Sequence, residues 1–248
     1  MDLNLADKKV AITGGSRGIG KAIAECFAKE GANVSICARN KKDVDSALSD
    51  LRKFGKKYAG YAVDIQKKLQ VEKWMRDTAA DLGGIDILIL NASALSTSWD
   101  AAVNVDLWGT IHCVEAALPY LRKSSSAAIV YVGSIAASVA VPEAAPYCAI
   151  KAAMANYMKS LSRALSVNGI RVNTVSPGNT YFEGGYWANE KKERPEIFKT
   201  VEAANDLKRM AEPAEIANCV VFLSSSRASY VLGSNLLVDG GSARHVVL

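Results

Sequence analysis

A short apolar run, KVAIT over residues 9–13, feeds Gly14-Gly15-Ser16-Arg17-Gly18-Ile19-Gly20. That loop opens into KAIAECFAKEGA, whose apolar positions recur at helical spacing before Gly31. Strand, glycine turn and helix in one unit leave few folds open. The helix has to pack back on the sheet, with its start at the carboxyl end of the strand. Glycines in the order Gly14-x-x-x-Gly18-x-Gly20 let the backbone turn tightly and approach a pyrophosphate. The helix start adds unpaired N–H groups and a partial positive charge. A structural turn explains many bare glycine clusters, but the position after a first strand favours a dinucleotide site.

The next strand, NVSICA over 33–38, ends without an acidic side chain. An acid there would bond a ribose 2′-hydroxyl and repel a 2′-phosphate. Here Ala38 is followed by Arg39, Asn40, Lys41 and Lys42, and Arg17 in the glycine loop can converge on the same place. Two guanidinium groups around one phosphate favour NADP(H) over NAD(H). The alternative is that Arg39 caps a helix or faces water.

Strand and helix patterns then alternate. Residues 43–54 read as a helix, 58–63 as a strand ending at Asp64-Ile65, 70–82 as an amphipathic helix and 85–90 as a buried strand ending at Asn91-Ala92-Ser93. A long helix is expected over 99–121, with Pro119 near its end, and strands over 127–132, 170–175 and 235–238. A helix begins near Pro146 and stops at Asn168-Gly169, and another covers 213–223. This alternation predicts one α/β domain, a doubly wound parallel β-sheet of about seven strands with helices on both faces. Ligands then belong at the strand carboxyl ends. Asp64 at such an end can accept from an adenine amino group or cap a helix.

The chemistry is read from Ser134, Tyr147 and Lys151. Tyr147 and Lys151 are four apart, so on a helix they share one face. An ammonium beside a phenol stabilises the phenolate, which suits proton transfer near neutrality. Ser134, delivered from the end of strand 127–132, can hold a carbonyl oxygen against the same phenol. A Tyr and a Lys at this spacing also occur as an ordinary solvated face with a packed ring. Between Asn179 and Ala211 the pattern loosens and mixes Tyr181, Phe182, Tyr186, Trp187 and Phe198 with EKKERPE. This reads as a lid carrying substrate contacts, or as a plain surface insertion.

The chain has 248 residues, half of them hydrophobic, and a net charge of +5. That is ample for one domain. Its Lys and Arg are scattered between apolar positions with no basic stripe interleaved with aromatics, which argues against nucleic acid. The five cysteines form no CxxC pair, and with only His112 and His245 a zinc site is not expected. No signal peptide or membrane span is read, so a soluble cytoplasmic protein in a reducing compartment is expected.

Together, residues 13–20, Asp64, Asn91-Ala92, Ser134, Tyr147-x-x-x-Lys151, Pro177-Gly178 and the terminal VDGG resemble the classical short-chain dehydrogenase/reductase family, a Rossmann-fold family, over nearly the whole chain. The resemblance implies that Tyr147 is the general acid in reduction and the base in oxidation. Lys151 would tune it and hold the nicotinamide ribose, and Ser134 would polarise the carbonyl. It places Asn91 near the adenosine half, Pro177 and Gly178 along the nicotinamide and Thr180 at the carboxamide. It further implies a small carbonyl or alcohol substrate and a homotetramer or homodimer. Three departures stand out. Ser93 replaces the family's glycine, the loop 94–98 is short, and Asp106 stands where the family has a catalytic Asn. Asn104, two residues earlier, points about 200° away on a helix and cannot substitute. An NADP(H)-dependent carbonyl reductase or alcohol dehydrogenase is expected. Reduction of carrier-protein-bound 3-ketones and a non-catalytic NADP-binding sensor or scaffold are the alternatives.

Overall fold

The computed structural model describes residues 1–244. His245, one of the two histidines weighed above as metal ligands, lies outside the described residues. Seven parallel strands form one sheet: β1 (Lys9–Thr13), β2 (Asn33–Ala38), β3 (Tyr58–Ala62), β4 (Ile87–Leu90), β5 (Ala128–Val132), β6 (Arg171–Pro177) and β7 (Asn235–Val238). Their spatial order is β3-β2-β1-β4-β5-β6-β7. The winding reverses between β1 and β4, so the crevice for a ligand opens there, at the strand carboxyl ends.

The helices lie in two layers because each strand buries both faces. Val10 and Ile12 of β1 and Val130 and Val132 of β5 pack with α1 (Gly18–Lys29), α2 (Lys41–Leu51) and α9 (Pro213–Ser224). Their neighbours Ala11, Ile129 and Tyr131 face α3 (Lys68–Leu82), α5 (Thr110–Leu121) and α6 (Ala145–Ser166). Alternation along one strand thus decides which layer each side chain serves. Pro146 sits in the first turn of α6, where its missing N–H costs nothing.

Two readings are corrected. The run over 99–121 is not one regular α-helix. A turn of α4 (Trp99–Ala101) passes into a π-helical segment, Ala102–Gly109, before α5 begins. Gly109, at its end, packs close to Ile65, where a Cβ would fall 2.7 Å from Cδ1. Asn104 is exposed and Asp106 buried, so the two do point apart, although the wider π turn sets the angle. The stretch 179–211 is also more regular than its pattern suggests, holding α7 (Tyr186–Glu193) and α8 (Pro195–Ala204). Phe198 is buried between Tyr181 and Trp187, with ring centroids 5.9 and 6.5 Å away. Among the described residues no helix is long and apolar enough to cross a membrane and no metal-binding cluster occurs. All five cysteines are free thiols.

Candidate active site

The glycine loop is shaped by close approach. A Cβ on Gly20 would sit 2.1 Å from the Gly14 carbonyl oxygen, so only glycine lets α1 start this near the loop. Gly14 and Gly18 have φ of +65° and +52°, a region that favours glycine. Arg17 is the N-cap of α1 and makes no side-chain cap bond, leaving the first N–H groups of the helix to a ligand. Ser16 and Ile19 line the same turn.

Asn91 acts as a strut at the end of β4. Its Nδ2 donates to the carbonyls of Thr13 (3.0 Å) and Gly14 (3.2 Å). Thr13 Oγ1 accepts from the N–H groups of Asn91 and Ala92. Hydrogen bonds between β4 and β1 thereby fix the loop without any ligand.

At the far side of the crevice, β2 ends at Ala38 with Arg39 and Asn40 exposed. Asn40, not Arg39, caps α2, its Oδ1 accepting from the Lys42 N–H at 2.9 Å. Neither Arg17 nor Arg39 makes an ion pair among the described residues. The helix-capping reading of Asp64 does not hold, because Lys67 is the N-cap of α3. Asp64 instead closes a local turn on the Gln66 N–H at 3.1 Å, and Ile65 beside it is buried. Pro177 and Gly178 end β6. The Thr180 hydroxyl donates to Gly178 O at 3.1 Å, which leaves its oxygen able to accept.

Ser134 follows β5 and Tyr147 lies in the first turn of α6, both half-buried. Ser134 Oγ accepts from the Ala136 N–H at 3.1 Å, so its own proton is free to donate. Lys151 is 2 % exposed, and its Nζ lies 5.5 Å from the Tyr147 ring centroid. Asp106, equally buried, places Oδ1 3.3 Å from that Nζ. This is a charge contact and not an aligned hydrogen bond, since Oδ1 has no hydrogen-bond partner. The other oxygen accepts from the Ala94 N–H at 2.9 Å and so ties down the loop after β4.

Tyr131 is the residue the sequence did not single out. Its hydroxyl accepts from Lys151 Nζ at 3.1 Å. In the sequence it is one apolar-compatible position in a strand, and only the facing of β5 toward α6 brings it to Lys151. Burial works against the Lys151 charge, but the Tyr131 and Tyr147 phenols and the Asp106 carboxylate outweigh it and hold the lysine pKa above its ordinary value. Burial likewise pushes the Tyr131 phenol up, against the pull of Lys151.

The lid touches the glycine loop through Phe182, whose Cζ would lie 2.6 Å from a Cβ on Gly18. The glycine cradle, the uncapped start of α1 and two unpaired arginines with no acid at the end of β2 fit an anionic dinucleotide.

A family model described as enoyl-(acyl carrier protein) reductase matches residues 14–243. Isoepoxydon dehydrogenase patN of Penicillium expansum is 40% identical over 242 residues, which cover 94% of this chain and 93% of that protein. An NADPH-bound short chain oxidoreductase of Pseudomonas aeruginosa PAO1, described as containing an atypical catalytic center, matches with a TM-score of 0.89 at 31% identity, covering 97% of this chain and 99% of that one. L-Sorbose reductase of Gluconobacter frateurii, complexed with NADPH and L-sorbose, matches with a TM-score of 0.91 at 32% identity, covering 99% of this chain and 100% of the other.

Proposed function

Since the chain belongs to the short-chain dehydrogenase/reductase family, we propose that it interconverts a ketone and a secondary alcohol with NADP(H), using Ser134, Tyr147, Lys151 and Asp106. The observation that carries this reading is the buried Lys151 ammonium held beside the Tyr147 ring. In reduction Tyr147 gives its proton to the carbonyl oxygen, and in oxidation it takes the proton back. Ser134, whose hydroxyl proton is uncommitted, holds that oxygen. Lys151 holds its positive charge beside the Tyr147 ring, and Asp106 balances that buried charge. When bound, the nicotinamide supplies or accepts the hydride at the carbon.

Gly14, Ser16, Arg17, Gly18, Ile19 and Gly20 would cradle the dinucleotide phosphates. Arg17 and Arg39 would take the 2′-phosphate, Asp64, Ile65, Asn91 and Ala92 the adenosine side, and Pro177, Gly178 and Thr180 the nicotinamide side. Asn40 stays a lesser contact, because its side-chain oxygen is committed to α2. NADPH in both solved relatives supports the same cofactor here. The lid over 179–211 selects the substrate, and the protein works as a homo-oligomer.

Reduction of a carrier-bound 3-ketone is the second reading, favoured by 34% identity to a 3-oxoacyl-[acyl-carrier-protein] reductase of Chlamydia muridarum. It needs a basic landing patch for an acidic carrier. Of the candidate residues Lys191, Lys192 and Arg194, Arg194 pairs with Glu190 at 2.5 Å and Lys191 lies over the Tyr181 and Phe198 rings, which weakens such a patch. The test is turnover across free and pantetheine-linked ketones with NADPH and NADH. Tyr147→Phe is expected to lower the rate by roughly 10² to 10⁴. Cofactor binding with no turnover on any carbonyl would leave a sensor.

A further inference from the structure

Tyr131 occupies a core position 1 % exposed, among Ile129, Ile150 and Met154 of one apolar layer. Phenylalanine would fill that space equally well, and a buried hydroxyl without a partner is costly. The hydroxyl is therefore explained by what it holds. Lys151 Nζ donates to it at 3.1 Å and approaches the carbonyl of the adjacent Val132 at 3.5 Å. These two acceptors set direction, whereas Asp106 at 3.3 Å supplies charge without an aligned bond. The titratable side chains facing the ammonium are Tyr131 from β5, Asp106 from the π-helical segment and Tyr147 from α6. A lysine ammonium otherwise swings on a flexible four-carbon stem.

We propose that Tyr131 is a positioning residue for the reaction, its hydroxyl aiming the Lys151 ammonium beside Tyr147 while Asp106 balances the charge. This rests on the Ser134–Tyr147–Lys151 reading of the site. Tyr131→Phe keeps the ring and removes only the acceptor. Its kcat falls about tenfold with substrate KM within about twofold of wild type, and the alkaline limb of kcat moves down by about one to two pH units, as loss of a hydrogen bond to a charged group implies.

A second readout does not need turnover. The wild-type protein should show a slowly exchanging lysine ammonium signal in ¹H–¹⁵N spectra that is absent in Lys151→Met. That signal broadens away in Tyr131→Phe. A kcat that drops by the same factor at every pH, alongside a lowered Tm, assigns Tyr131 to packing alone and overturns the proposal. So does an ammonium signal that stays sharp in Tyr131→Phe. If the wild-type protein reduces no carbonyl compound, the proposed function fails on its own, and the ammonium spectra still decide whether Tyr131 holds Lys151.

Discussion

Replacing Asp106 by Asn removes one negative charge and turns an amide NH2, a donor, toward the Lys151 ammonium. The side-chain amide oxygen still accepts from the Ala94 N–H, so the loop after β4 keeps its anchor. What is lost is the ion pair at 3.3 Å. At an effective dielectric of about 20 that separation is worth about 5 kcal/mol, or three to four pH units as an upper bound. In wild type the Lys151 pKa is raised, so its charge persists through the working pH range. In Asp106→Asn burial still opposes the charge and only the phenols and the Val132 carbonyl oppose burial. The lysine then loses its proton nearer neutrality, and with it goes the positive charge beside the Tyr147 ring. The assay is initial-rate alcohol oxidation followed by nicotinamide absorbance as pH rises. The alkaline limb should move toward neutrality by at least about one unit.

Stability should follow the same sign. A raised lysine pKa contributes stability that is complete below the unfolded value and is lost as pH rises through the folded one. The Tm gap between wild type and Asp106→Asn is thus widest near neutral pH and narrows in strong alkali. Breaking one side of such a pair costs about 3–5 kcal/mol. An alkaline limb within about half a unit of wild type, with an unchanged Tm, would show that Asp106 does not sustain the Lys151 charge, because a charge this close and this buried cannot be silent.

Three further outcomes are expected. Gly20→Ala brings a Cβ to 2.1 Å from the Gly14 oxygen, so denaturant titration should show a loss of about 1–3 kcal/mol and fluorescence titration weaker NADPH binding. Arg39→Glu should weaken NADPH at least about tenfold while leaving NADH nearly unchanged, through loss of a charge-assisted contact measured by the same titration. Arg209 grips Glu215 at 2.7 Å through both of its terminal nitrogens at the start of α9, and with the Glu212 N–H it lowers the Glu215 pKa to about 2. A depressed carboxyl contributes stability above its unfolded pKa and loses it as pH falls through the folded one. Arg209→Ala should therefore begin acid unfolding at higher pH, by a small amount because the pair is exposed.

Much of the fold was legible in local pattern. The strand–glycine–helix unit at 9–31, the apolar strand runs, the period-3.6 stretches and the turn at Gly169 depend on neighbours in sequence, and the structure reproduces them. Gly169 indeed adopts a positive φ of +70°. The strand over 235–238 appears as expected, while β4 starts at Ile87 and not at residue 85. The π-helical segment was not legible, because AVNVDLWG has no proline and a lone glycine at its end does not distinguish a π turn from an α turn. Its glycine, Gly109, lies so close to Ile65 that a Cβ there would fall 2.7 Å from Cδ1, a contact made only in the fold. The two helices of the lid were hidden by mixed composition, since Phe198 is buried only where Tyr181 and Trp187 come to meet it.

A parallel α/β sheet, a glycine loop suited to a dinucleotide and the helical pairing of Tyr147 with Lys151 follow from short-range spacing along the chain. What surrounds the lysine follows from the packing of distant elements. Asp106, Tyr131 and Lys151 come from three separate elements, and their meeting depends on which face β5 turns to α6 and on how the π turn rotates Asp106 inward. Charge balance in a buried site is a property of atoms brought within a few ångströms across the fold, and sequence separation carries no record of that distance.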